Sequence, residues 1–373
     1  MASINLVRYL KNVPGWHINR RIVIFESDDW GSIRMPSQDV FKYLTSKGIF
    51  KGNELYNLYE NLASREDLST LFELLHSFKD VNGNLCSFTA VCVVANPDFR
   101  KIKEHEFREY FFEPFTVTLE HFYPNDKVFE VWKEGIEERV FVPQFHGREH
   151  LNVAEWIRAL RNGDEETHLC FEHRVWSFTR KENNPISISY QTPFVFYYPE
   201  DLVTQARAIE EGLKVFHELF GYKAKFFVPP DGPFNSSLEK VAADMGIKYI
   251  STAKIQKEPT GYGRKKIRVH WLGQKNKYNQ IYTTRNCFFE PIVPGKDWVD
   301  SCLRDIEAAF YWHKPAIISS HRANYIGTYD RKNRDNTLQQ LSLLLNSLIK
   351  KWPDTEFMTT DQLGELIEWD RNN

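Results

Sequence analysis

Arg21-Ile22-Val23-Ile24-Phe25-Glu26-Ser27-Asp28-Asp29-Trp30-Gly31 decides how this chain is read. The apolar run Ile22 to Phe25, β-branched at three of its four positions, predicts a buried strand. That strand runs directly into carboxylates and a glycine turn. Where parallel strands form an α/β barrel, their C-terminal ends open into a shared mouth that carries the chemistry. Taken alone, the Asp28-Asp29 pair reads equally well as the cap of a following turn.

Working outward, further short apolar runs appear at Ser87 to Val94, Lys225 to Val228, Lys248 to Ser251, Gln280 to Thr283 and Pro315 to Ser319. Between them, apolar residues at helical spacing predict helices near Leu68 to Phe78, Val153 to Arg161, Asp201 to Leu219, Ser236 to Met245, Trp298 to Trp312 and Thr337 to Lys350. Ser236 with Glu239 has the pattern of a capping box. Lys181 to Asn184 and Gly261 to Lys266 read as exposed polar loops. Strand-then-helix units over most of the chain predict an α/β fold, a barrel rather than a sandwich or a bundle. No repeat or linker divides residues 1–373, so one domain is expected.

Composition sets outer limits. The 373 residues are 42% hydrophobic, enough for a sizeable core. Forty-eight Lys and Arg against 50 Asp and Glu leave a net charge of -2, which gives no overall electrostatic reason to expect a nucleic-acid or anionic-membrane partner. Five scattered cysteines disfavour a disulfide framework, and neither an export signal nor a membrane-spanning run is read. A cytoplasmic protein is the resulting expectation, with its oligomeric state open.

Three further segments carry chemistry. His146-Gly147-Arg148-Glu149-His150 sets two imidazoles four residues apart, on one face if the segment is helical, as metal binding asks. A shuffled chain of this composition would hold roughly 0.4 such pairs, so the motif needs a third ligand to count. Ala316 to Arg322 is a second apolar run ending in a polar group, His321, for which a satisfied core histidine is the plain alternative. Lys225 to Pro233 breaks from a strand into a rigid turn whose free N–H groups suit an oxyanion. Together these supply two imidazoles and a carboxylate for a divalent ion with an open water position, plus a second carboxylate and a distant histidine for proton transfer.

In their order along nearly the whole chain, these motifs resemble the polysaccharide deacetylase family and its NodB homology domain, with its distorted (β/α) barrel. The resemblance implies Asp29, His146 and His150 as ligands of one divalent ion, zinc by its donor set, with Asp28 as catalytic base. It also implies that the Asp231 N–H steadies the oxyanion and that His321 is the general acid. The reaction implied is hydrolytic removal of an acetyl group, N-acetyl before O-acetyl, from a sugar. Here Trp30 is inserted in the first motif, Gly147 replaces a small hydroxyl residue in the second, and Val228 stands where the third has an arginine. Arg34, Arg148 and Arg322 are the candidates to replace it. The long gap from Asp29 to His146 implies added elements near residues 31–85 and 97–143.

Two other readings compete. His146 to His150 also satisfies H-x-x-E-H, a zinc-peptidase pattern with Glu149 as base, against which stand Gly147 and the nearby Pro143. A non-catalytic carbohydrate-binding protein is permitted by the 15% aromatic content, with Trp30 beside the carboxylates as the platform to single out. Arg322, Asn324, Tyr325, Arg331 and Arg334 read as a solvated polar loop.

Overall fold

The computed structural model describes residues 2–180 and 189–373, so the polar loop expected at Lys181 to Asn184 lies outside the described residues. In chain order the strands are β1 (Arg21–Trp30), β2 (Phe88–Val93), β3 (Ala95–Pro97), β4 (Phe112–Pro114), β5 (Phe141–Gly147), β6 (Phe226–Phe227) and β7 (Tyr249–Ser251). They continue with β8 (Ile255–Gly261), β9 (Arg264–Val269), β10 (Ile281–Thr283), β11 (Cys287–Phe288), β12 (Ala316–His321) and β13 (Thr355–Phe357). Nine of them make one curled sheet in the order β10-β7-β6-β5-β2-β1-β12-β11, with β13 pairing the start of β1. Every pairing within it is parallel, so the strand ends gather on one rim. The sheet does not close between β10 and β11, which makes it the distorted barrel expected of the alternating pattern.

β1 is central and covered on both faces, as a parallel strand requires. Ile22 and Ile24 pack with Val91, Phe226 and Ile317 on the concave side, which the helix Thr360–Asn372 fills with Leu363 and Ile367. Val23 and Phe25 face the larger core on the other side. Gly364 belongs to the plug because a Cβ there would lie 2.5 Å from the Tyr249 ring.

The predicted helices Val153–Arg161, Asp201–Phe220 and Trp298–Tyr311 form within a residue of expectation, and helices at Arg65–His76 and Arg331–Lys351 cover the other two long predictions. The capping box at Ser236 does not form. Asn235 caps a short 3-10 turn instead, Ser236 Oγ accepts from Arg268 and Glu239 takes the Tyr282 hydroxyl. Gly261 to Lys266 is the turn and second strand of the antiparallel hairpin β8–β9 rather than a loop. Trp30 is 1% exposed, packed on Trp132 and Phe141 with its Nε1 donating to Ser27 Oγ at 3.0 Å, so it is no sugar platform. Arg322, Asn324 and Tyr325 are fully buried and Arg334 is buried, contrary to a solvated loop, because carboxylates inside the fold meet their charges.

Candidate active site

Two breaks in strand regularity build the site. Side chains along a strand alternate between faces, so adjacent Asp28 and Asp29 would normally point apart. Asp29 instead sits at φ 71°, and the pairing of β1 with β2 shifts between Ser27 and Trp30. This bulge returns Trp30 to the side of Ser27 and leaves both carboxylates at the rim. A similar shift occurs where β5 passes His146, followed by Gly147 at φ 123°. The segment His146 to His150 is therefore strand and loop, not the helical turn that the four-residue spacing suggested.

The ligand atoms of Asp29, His146 and His150 nevertheless lie within 4.8 Å of one another, all three residues buried. Asp29 Oδ1 is 3.2 Å from His146 Nε2 and 3.4 Å from His150 Nε2. His146 Nδ1 lies 2.7 Å from the Val228 carbonyl, so an Nδ1–H there leaves the Nε2 lone pair facing Asp29. Burial, reinforced by Arg34, lowers His150 to about 3, which keeps its imidazole neutral at ordinary pH. Trp176 stacks on that ring with centroids 6.2 Å apart. Burial opposes ionisation of Asp29, yet Arg34 and the two histidines hold its carboxyl well below the usual range. Two imidazoles and a carboxylate converging without an intervening group are a donor set that fits one divalent ion.

Asp28 has its own cation, one that the sequence reading missed. Arg285 grips both its oxygens at 2.5 and 2.6 Å and reaches Glu26 at 2.5 Å. Burial would raise the Asp28 carboxyl, but Arg285 outweighs it and keeps it low. Neither Arg148 nor Arg322 takes that place: Arg148 is bound to Glu149 and Glu211, and Arg322 to Glu60. Arg34 serves the other aspartate, with its Nη2 2.9 Å from Asp29 Oδ2. Arg285 was within reach of the rule that found the rest, since it stands two residues past the end of β10.

His321 ends β12 beside Asp28 in register, and its Nδ1 lies 2.6 Å from Glu290 Oε1. Burial disfavours its protonated form, but Glu290 outweighs that and raises the imidazole to about 10. Asp231 stands at φ 60° on the turn after β6; its residue surface is exposed, while loss of hydration at the rim raises its carboxyl, against the pull of Arg34. Tyr56, from the segment between β1 and β2, stacks edge-on against His321 at 5.2 Å. Glu149 is not a free base: Arg148 holds both its oxygens at 2.5 and 3.0 Å and Tyr110 donates to it at 3.2 Å, which with the missing helix removes the peptidase geometry.

A model of glycosyl hydrolase family 57 matches residues 178–291. The deacetylase resemblance is thereby corrected, and with it removal of an acetyl group from an acetylated sugar. Strand ends fix where acids and histidines converge and not which bond they attack, so motif spacing alone did not separate amide from glycosidic chemistry. The visible signs were the departures at Trp30, Gly147 and Val228. Zinc as that family's metal goes with it, and only the donor set of the triad remains.

None of the curated proteins matches the chain. Among solved structures it is similar to a 4-alpha-glucanotransferase from Thermococcus litoralis at 12% identity and TM-score 0.45, covering 92% of this chain and 40% of that one. It is similar to the alpha-amylase AmyC from Thermotoga maritima at 10% and 0.46, covering 92% and 74%. A probable polysaccharide deacetylase from Pseudomonas aeruginosa PAO1 gives 10% and 0.45, covering 93% and 91%. The chain thus spans well under half the length of the glucanotransferase, and at these values the likenesses discriminate no activity. No helix among the described residues is long and apolar enough to cross a membrane.

Proposed function

We propose that this chain acts on a glycosidic bond of a glycan, by hydrolysis or glycosyl transfer, at the rim where β1, β5 and β12 end. The observation that carries this reading is that the segment matched to glycosyl hydrolases, residues 178–291, contributes Asp231, Arg285 and Glu290 to the rim that already holds Asp28 and Asp29. Cleavage of a glycosidic bond uses one carboxylate kept ionised and a second group that delivers a proton to the leaving oxygen. Asp28, gripped by Arg285, takes the first role. Asp231 takes the second, standing exposed on a turn where a leaving sugar can reach it. His321, paired with Glu290, holds positive charge beside Asp28 and orients sugar hydroxyls.

A divalent ion belongs to the same proposal, held by Asp29, His146 and His150. When bound it would supply positive charge and open positions for hydroxyl oxygens. The test uses end-labelled α- and β-linked oligosaccharides incubated with purified protein, with shortened or lengthened products separated by chromatography. Turnover that falls at least about a hundredfold in Asp28→Asn, with the fold intact by circular dichroism, is the expected result. No change in any linkage by the ion-loaded protein overturns the activity. The ion is tested separately by elemental analysis: about one per chain in the wild type and none in Asp29→Asn or His150→Ala is expected. An ion-free wild type after exposure to zinc, cobalt and manganese removes the metal and leaves the glycosidic assay to stand alone.

A further inference from the structure

The net charge of -2 conceals a segregated basic segment. Between Lys254 and Trp271 the chain carries six Lys and Arg and one acid, Glu258, and that acid is spent on Arg268. Lys257, Arg264, Lys265 and Lys266 make no ion pair among the described residues. These residues lie on the hairpin β8–β9, whose two faces differ. The inner face is fastened to the segment after β6: Glu258 accepts from the Ser236 N–H at 2.8 Å and Arg268 donates to Ser236 Oγ at 2.7 Å, while Gln256 meets His270 across the hairpin at 3.0 Å.

On the outer face the register sets Ile255 opposite Val269, Lys257 opposite Ile267 and Pro259 opposite Lys265. Ile255, Ile267 and Val269 are 66%, 57% and 59% exposed, although hydrophobic residues of this size normally turn inward where a strand has an inner face. At the base of the hairpin, Lys254 donates to the Lys11 carbonyl, setting this face next to the end of the helix Ala2–Leu10, where Leu10 and Val13 are again exposed.

We infer that this face docks on the surface of an anionic phospholipid bilayer. The aliphatic side chains enter the interfacial layer, and the outer-face cations Lys257 and Lys265, with Arg264 at the turn, meet lipid phosphates, the pairing that holds amphipathic elements at a membrane surface without a spanning helix. Two alternatives fit less well. A second copy docked through the same face about a twofold axis would set Lys257 and Lys265 against a face carrying the same cations, like charge on like. A single-stranded nucleic acid asks for stacking rings among the cations, whereas the exposed rings, Tyr262 and Trp271, stand at the tip and the base of the hairpin with isoleucine and valine between them. The inference is independent of the chemistry proposed for the strand-end rim.

Cosedimentation of the full chain with phosphatidylcholine vesicles, with and without about a third of phosphatidylglycerol, tests it. Binding to the anionic vesicles at about 0.05 M salt, lost at about 0.5 M, is expected. Lys257→Glu with Lys265→Glu should lower partitioning at least about tenfold, and Ile255→Asn with Val269→Asn should lower it comparably. Should the apolar pair unsettle the hairpin, as read by thermal melting, the exposed lysine pair still decides the matter. Wild type remaining in the supernatant with anionic vesicles, or charge-reversed protein binding as wild type does, overturns the inference. So does concentration-dependent dimerisation, or binding of a labelled oligonucleotide, without vesicle binding.

Discussion

Asp28 and Asp29 adjoin in the chain yet are held by arms of different make-up. On the Asp28 side one cation, Arg285, faces two carboxylates, Asp28 and Glu26. Burial raises the Glu26 carboxyl despite Arg285, and Thr360 donates to its other oxygen at 2.8 Å, so this arm can shed its excess charge by taking up a proton. On the Asp29 side charges alternate: Asp29, Arg34, Glu60, Arg322, each no more than 6% exposed at the side chain. This arm is neutral without any proton. Arg285 comes from a strand end of the sheet, whereas Arg34 and Glu60 both come from the segment between β1 and β2. That segment is therefore organised around Asp29 and does more than cover the rim.

Because arginine does not deprotonate inside a protein while a carboxylate can, the arms should break unequally. Glu60→Leu leaves the buried Arg322 without a carboxylate and Arg34 with Asp29 alone, and is expected to cost about 3–5 kcal/mol of folding stability. Arg285→Met strands two carboxylates that can neutralise, and its cost should be smaller. Urea unfolding of both variants at neutral pH gives the order directly. A larger loss for Arg285→Met would mean that the Asp28 arm, not the Asp29 arm, is the part most dependent on a fixed charge.

His321 sharpens the comparison through pH. Its folded-state value near 10 lies above the ordinary value of about 6.5, so the native state binds the proton more tightly than the unfolded chain. The stability from the Glu290 pair is therefore fully present below about pH 6.5 and is lost as pH rises toward 10. Unfolding free energies of ion-free protein between pH 6 and 10 should fall more steeply for wild type than for His321→Gln. Parallel curves would show that His321 is not charged in the fold, and the positive charge assigned to it beside Asp28 would go.

How much of this was legible in the sequence follows from what each signal measures. Apolar runs report burial on both faces of a parallel strand, so β1, β2 and β12 were found, and the residues at or near their ends came with them. β5 was missed because Pro143-Gln144 interrupts its apolar run, although the strand delivers His146. The bulge at Asp29 left no signal beyond the carboxylate pair itself, because a left-handed aspartate is set by tertiary context. Arg322 and Arg334 looked solvated because composition prices a guanidinium as exposed, and only the fold reveals Glu60 and Asp67 opposite them. The hairpin's basic face was invisible to a net charge, which sums what the structure separates.

The smallest effect tests whether two arms are the full account. Arg148 and Glu149 lie between the two histidines in the chain, yet Arg148 lines a separate surface cavity with Tyr110, Arg158 and Arg207. Tyr110 donates a 3.2 Å bond to a Glu149 oxygen that Arg148 already holds at 2.5 Å, and the guanidinium also lies 4.6 Å from the Phe112 ring. Tyr110→Phe removes one shared hydrogen bond and keeps the ring, so a loss of about 1 kcal/mol is expected by thermal unfolding. Divalent-ion affinity measured by calorimetry should not move, because no member of this cluster is bonded to Asp29, His146 or His150. If affinity does fall in Tyr110→Phe, the cluster must act on His150 through the one residue that separates it from Arg148, and the triad then rests on three charged supports rather than two.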